Sequence, residues 1–166
     1  MTETPPAGPV TGQQDTDLNE GREALLTLVQ QTRRYLNILS EDLPLLLYNT
    51  EETCAALSML ARQGSGNRIR ILVHNPDNLI AHAPRLLALL RRLPSKIEAR
   101  RLDELPASHS CFLTGDNQQA LLFVNEAQGK AIYHPENRPL VQQLTETFET
   151  AWNRAEIIPE LRQLSL

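Results

Sequence analysis

The chain has 166 residues, 41% hydrophobic and 22% charged, with a net charge of −4. That fits one globular domain and argues against a wholesale nucleic-acid binder, whose surface carries a basic surplus, while leaving room for a local basic patch. Two cysteines, Cys54 and Cys111, are too few for a disulfide scaffold, and no stretch reaches the ~18 apolar residues of a membrane span.

Met1 to about Asp17 is rich in Pro, Gly, Thr and Gln, with Val10 as the apolar residue inside it beyond alanine. Such a composition cannot offset its ordering entropy, so residues 1–18 are expected to form a disordered tail ahead of a single domain over 19–166. The tail also lacks the apolar core of a signal peptide, which points to a cytoplasmic, reducing location. A first helix is expected from Asn19, capped by that residue and closed by Arg33 and Arg34, with Leu25, Leu26, Leu28 and Val29 on its apolar face.

Tyr35, Leu36, Ile38 and Leu39 read as a buried strand, whereas Leu43–Tyr48 carries no clear signal. Asn49 or Thr50 caps a helix to about Gln63 with Cys54, Leu57, Leu60 and Ala61 inward, and Gly64–Asn67 is a loop. Arg68–His74 reads as a strand broken by Asn75-Pro76-Asp77-Asn78. A helix over about Ala83–Leu93 and a strand over Lys96–Leu102 follow. This α-β-α-β-α-β order is the pattern of parallel strands with covering helices.

The grammar then changes. His109–Thr114 and Gln119–Val124 are short apolar runs joined by Gly115-Asp116-Asn117-Gln118, a hairpin signal, and Lys130–His134 offers another strand. A closing helix over about Pro139–Ala155 carries Leu140, Leu144, Phe148, Ala151 and Trp152 as one stripe, more in keeping with a core face than a cofactor box. Ile157–Leu166 is an apolar tail fit to dock on the core or on a partner. The fold class expected is α/β, a mixed β-sheet with helices on both faces.

The octet His109-Ser110-Cys111-Phe112-Leu113-Thr114-Gly115-Asp116 resembles the phospholipase D pattern His-x-Lys-(four residues)-Asp, with cysteine in the lysine position. The α-β-α-β run before it and the closing helix agree, so the resemblance covers about residues 20–155 and points to a degenerate bacterial branch of that family. It implies one phospholipase-D-like half, with His109 as nucleophile or acid, Asp116 as supporting carboxylate and Cys111 in place of the phosphate-holding lysine. Residues i and i+2 of a strand share a face, which would bring positions 109 and 111 to one phosphate. Losing one positioned donor costs about 10²–10³ in rate, and losing a full charge from both halves of a two-fold site costs roughly 10⁴ or more. The family's Gly-Ser pair and asparagine in the next strand are here Phe123-Val124-Asn125, whose apolar bulk would fill the phosphate space. The resemblance thus implies a non-catalytic binding or regulatory module, with His109 and Asp116 vestigial. A residual phosphodiesterase or nuclease and a nucleic-acid binder are the alternatives. It also implies a homodimer and, because similar halves follow acetyltransferase domains in some bacterial chains, an acetyltransferase as a possible partner.

Other readings stay open. His109 can be a strand-start residue and Asp116 a turn residue; His109 with Cys111 can form a nucleophilic pair, against which stands the usual inertness of a strand cysteine. His74, Asp77 and His82 match no metal-ligand spacing, so no metal and no cofactor is expected, and His134 reads as a strand-end residue. Arg85, Arg91, Arg92, Lys96, Arg100 and Arg101 give the middle segment a basic bias. A solvated helix face and strand ends explain it, with an anion-binding patch at Arg91, Arg92, Arg100 and Arg101 as the sharper alternative. Only seven aromatic residues are present, too few near these cations to suggest base stacking.

Overall fold

The computed structural model describes residues 10–109 and 111–162, with side chains from Asp17 onward. The first nine residues of the expected tail and the last four of the chain lie outside the described residues. Three parallel strands form the centre of the sheet: β1 (Tyr35–Ser40), β2 (Arg68–Val73) and β3 (Ile97–Arg101). An antiparallel meander, β4 (Phe112–Gly115), β5 (Gln119–Asn125) and β6 (Lys130–His134), joins at β1. The short β7 (Glu156–Ile157) pairs with β3, giving the order β6-β5-β4-β1-β2-β3-β7. The sheet is mixed, as its alternating and then meandering sequence signals require.

Helix α1 (Val10–Gln31) begins nine residues before Asn19, so the expected cap there is corrected: Asn19 lies inside a continuous helix. The segment without a clear signal becomes α2 (Leu45–Tyr48), begun by Pro44, whose fixed φ suits a helix start. In α3 (Glu51–Gln63) Thr50 is the cap, its hydroxyl accepting from Thr53 N. The presumed break at 75–78 instead opens α4 (Asp77–His82), followed by α5 (Pro84–Arg92) and, after the meander, α6 (Arg138–Arg154) capped by Asn137.

Two cores result. On one face α1, α3 and α5 cover Leu36, Ile38, Ile69, Ile71, Leu113 and Leu121. On the other, α6 alone covers Leu39, Leu72, Phe112 and Ala120 with Val141, Leu144, Phe148 and Trp152. The inward stripe therefore runs through Val141, while Leu140 and Ala151 sit at its margin. The chain's apolar end docks on its own domain, with Ile158 buried in the larger core. Among the described residues no helix is long and apolar enough to cross a membrane.

Candidate functional site

The motif octet spans both ends of β4. Because β4 is antiparallel to β1, with Phe112 opposite Leu39 and Gly115 opposite Leu36, Cys111 lies at the carboxyl end of the parallel strands and Asp116 at their amino end. Four residues of strand place the two ends roughly 13 Å apart. The strand expected from His109 starts only at Phe112. Pairing with β1 stops at Leu39–Phe112, and the last rung with β5 is Phe123 N to Cys111 O at 3.1 Å. The half-buried His109 and Cys111 thus precede the strand and do not share a strand face; Ser110 between them lies outside the described residues.

Asp116 has a definite job. Its Oδ2 accepts Arg33 N at 2.9 Å, and its Oδ1 accepts Arg34 N at 2.9 Å and Tyr35 N at 3.0 Å. Three successive amides form a concave anion site, occupied here by the chain's own carboxylate. The φ of 56° at Asp116 lies in the left-handed region that aspartate tolerates better than most residues.

At the other end, the place beside Cys111 is taken by a group the sequence did not single out. The β5–β6 pairing carries a bulge between Phe123 and Asn125, after which Glu126 turns inward and is 8% exposed. Its Oε1 accepts Glu41 N at 3.2 Å. Oε2 and the hydroxyl of the fully buried Tyr48 are both buried without a hydrogen-bond partner among the described residues. Burial raises the Glu126 carboxyl to about 7, offset in part by the neighbouring Ser40 hydroxyl and Cys111 thiol. Burial and then Glu126 push the Cys111 thiol well up, and burial does the same to Tyr48. A deprotonated, nucleophilic Cys111 is therefore disfavoured. The expected apolar filling is corrected here: Phe123 packs on the larger core and Val124 is 62% exposed.

The carboxyl ends of the parallel strands, where open α/β sheets bind ligands, enclose a cleft of about 550 Å³ lined by Glu41, Asp42, His74, Asn75, Pro76 and Arg101. His74 Nδ1 lies 3.1 Å from Leu102 O. Asp77 and His82 are exposed at opposite ends of α4, and His134 is half-buried at the end of β6.

The basic residues are not gathered into one patch. Arg101 bonds Asp103 at 3.0 Å and Glu156 at 2.6 Å on the cleft side. Arg100 lies on the α6 face, held by Glu98 at 2.8 Å and stacked over Trp152 at 4.2 Å. Arg91 Nη2 donates to Glu160 O at 2.7 Å, tying α5 to the chain's end, and Lys96 Nζ donates to Gly64 O and Ser65 O. Arg92 is exposed on α5. Local sequence clustering placed these side chains on different faces because i and i+1 of a strand diverge.

Among solved structures the chain is similar to Nuc from Salmonella typhimurium, a phospholipase D family member, with a TM-score of 0.63 at 15% identity over 87% of this chain and 93% of that one. NucT from Helicobacter pylori gives 0.60 at 10% identity, over 90% and 95%. TrmBL2, described as an archaeal chromatin protein with a novel mode of DNA binding, gives 0.58 at 13% identity over 85% of this chain; the chain spans 51% of that protein, about half its length. At these identities the likeness establishes the fold, which is phospholipase-D-like. No protein of curated function matches the sequence. The chain belongs to the family described as Domain of unknown function (DUF7931), whose model matches residues 17–164.

Proposed function

We propose that this DUF7931 member is a non-catalytic binding or regulatory module on a phospholipase-D-like half, acting as a homodimer with its two His109 regions facing across a two-fold axis. One observation carries the reading: Cys111, in the position a cation would hold, stands beside the buried carboxyl of Glu126, with Glu41 and Asp42 close by. Transfer at a phosphodiester develops negative charge that must meet fixed donors or cations. A neutral thiol among acids offers the opposite field. Arg101, the arginine of the adjoining cleft, is already bound by Asp103 and Glu156. A cytoplasmic setting and a separately encoded acetyltransferase as partner belong to the same reading, and both rest on the sequence resemblance.

The test incubates purified protein and His109→Ala with bis-p-nitrophenyl phosphate and with plasmid DNA at several salt concentrations. Neither should turn over substrate above the blank. Hydrolysis by the native protein that vanishes in the variant would replace this reading with a phosphodiesterase or nuclease. Salt-sensitive retention of uncut DNA, lost on joint Arg91→Ala and Arg92→Ala substitution, would favour a nucleic-acid-binding module. Light scattering behind size exclusion should return twice the chain mass of 18.7 kDa, and a monomer would remove the two-fold arrangement.

A further inference from the structure

Glu126 joins two segments that are far apart in sequence. It begins the β5–β6 turn, where its carbonyl accepts Gly129 N at 3.0 Å, and its carboxyl reaches the loop between β1 and α2 by accepting Glu41 N. That loop is under tension of its own: Leu43 has a φ of 53°, a left-handed conformation that costs a leucine energy. It is held by Leu43 N donating to Ser40 Oγ at 2.9 Å. Glu41 and Asp42 of the same loop line the cleft at the carboxyl ends of the strands.

The surroundings favour a protonated carboxyl. Glu41 and Asp42 face it from the loop, Cys111 from the segment before β4 and Tyr48 from α2, all of them acids, with Ser40 as the neutral neighbour. An ionised carboxylate is acceptor-only, so it would leave a buried anion among acids. A protonated Glu126 supplies the cluster with a donor where Oε2 and the Tyr48 hydroxyl now lack partners.

We propose that Glu126 is a proton-operated latch on the cleft rim: protonated, it holds the β5–β6 turn to the Ser40–Leu43 loop, and on losing its proton it releases that loop. The release falls near neutral pH, because burial lifts the carboxyl from 4.5 to about 7. Its folded-state value lies above the unfolded one, so its stabilisation is complete below about 4.5 and declines as pH rises through about 7. Asp42, whose own carboxyl is raised by burial and then by Glu41, adds repulsion as it ionises. The latch is independent of whether any phosphodiesterase chemistry survives.

The direct test is a carboxyl-carbon NMR titration of the native full chain, in which Glu126 should show a midpoint near 7; a midpoint below 5 overturns the latch. Hydrogen exchange at the Glu41 and Leu43 amides, corrected for intrinsic base catalysis, should accelerate about tenfold or more between pH 6 and 8. In Glu126→Gln, a permanently uncharged stand-in, that acceleration should disappear. Equal acceleration in both proteins, or none in the native one, would overturn the proposal. The titration needs no variant, so it decides the matter even if Glu126→Gln does not fold.

Discussion

Asp116 and Tyr35 exchange two hydrogen bonds: Asp116 N donates to Tyr35 O at 2.8 Å, and Tyr35 N donates to Asp116 Oδ1 at 3.0 Å. With the amides of Arg33 and Arg34 on the same carboxylate, this fixes how α1 hands over to β1 and seats the β4–β5 turn against both. The motif aspartate is thus a joint between helix, strand and hairpin, at the end of the sheet away from His109.

Replacing Asp116 should therefore weaken folding. Hydrogen bonds to charged groups contribute about 1.5–3 kcal/mol each at most and are not additive, and alanine also tolerates the positive φ poorly. Asp116→Ala is expected to lose about 2–4 kcal/mol in urea unfolding, while Asp116→Asn, which keeps an acceptor and accepts the φ, should lose about half as much. Equal stability of Asp116→Ala and the native protein would show that the joint does not matter.

Gly21 of α1 packs directly on Gly129 of the β5–β6 turn, and a Cβ at Gly21 would meet Gly129 O at 2.1 Å. Alanine gains about 1 kcal/mol of helix propensity over glycine, but overpacking against backbone costs about 1–3 kcal/mol or more. The clash should win because a carbonyl in a turn cannot swing aside, so Gly21→Ala should lower the unfolding midpoint. Gly66→Ala, where a Cβ meets nothing within 4 Å, should change stability by no more than about 0.5 kcal/mol. The pair of denaturation curves checks both.

Arg70 lies over the rings of Phe148 and Trp152, at 5.0 and 5.2 Å, and bonds Glu149 with Nη1–Oε1 at 3.0 Å. Those hydrogen bonds hold the Glu149 carboxyl below its ordinary 4.5. Its contribution is therefore present above about 4.5 and lost as pH falls further, opposite in sign to that of Glu126. Trp152 is the single tryptophan and is 7% exposed, so its emission reports unfolding. Glu149→Gln should flatten the acid side of the stability profile and leave the neutral side unchanged; an unaltered acid side would reject the assignment.

The regular elements were legible wherever burial follows one period. The strands β1, β2, β3, β5 and β6 show apolar runs between turn residues, and α3, α5 and α6 show caps and apolar stripes. The extension of α1 to Val10 and the short α2 and α4 were not legible, because one or two helical turns after a proline have no period to detect. In the site, the sequence pointed to His109, Cys111 and Asp116 and to the missing cation. Glu126 carried no signal: an acid in Asn125-Glu126-Ala127-Gln128-Gly129 reads as an ordinary solvated turn residue, and only the bulge turns it inward.

By itself, then, the order of residues determined the α/β class, the parallel-then-meander layout and the loss of a lysine from the motif, since each depends on neighbours along the chain. Only the tertiary structure decided that His109 and Asp116 part to opposite ends of the sheet, that Arg91, Arg100 and Arg101 are held by separate partners, and that a carboxyl is buried beside Cys111. Strand direction, charge pairing and desolvation depend on groups up to 85 residues apart, as between Glu41 and Glu126, and those meetings exist only once the sheet has closed.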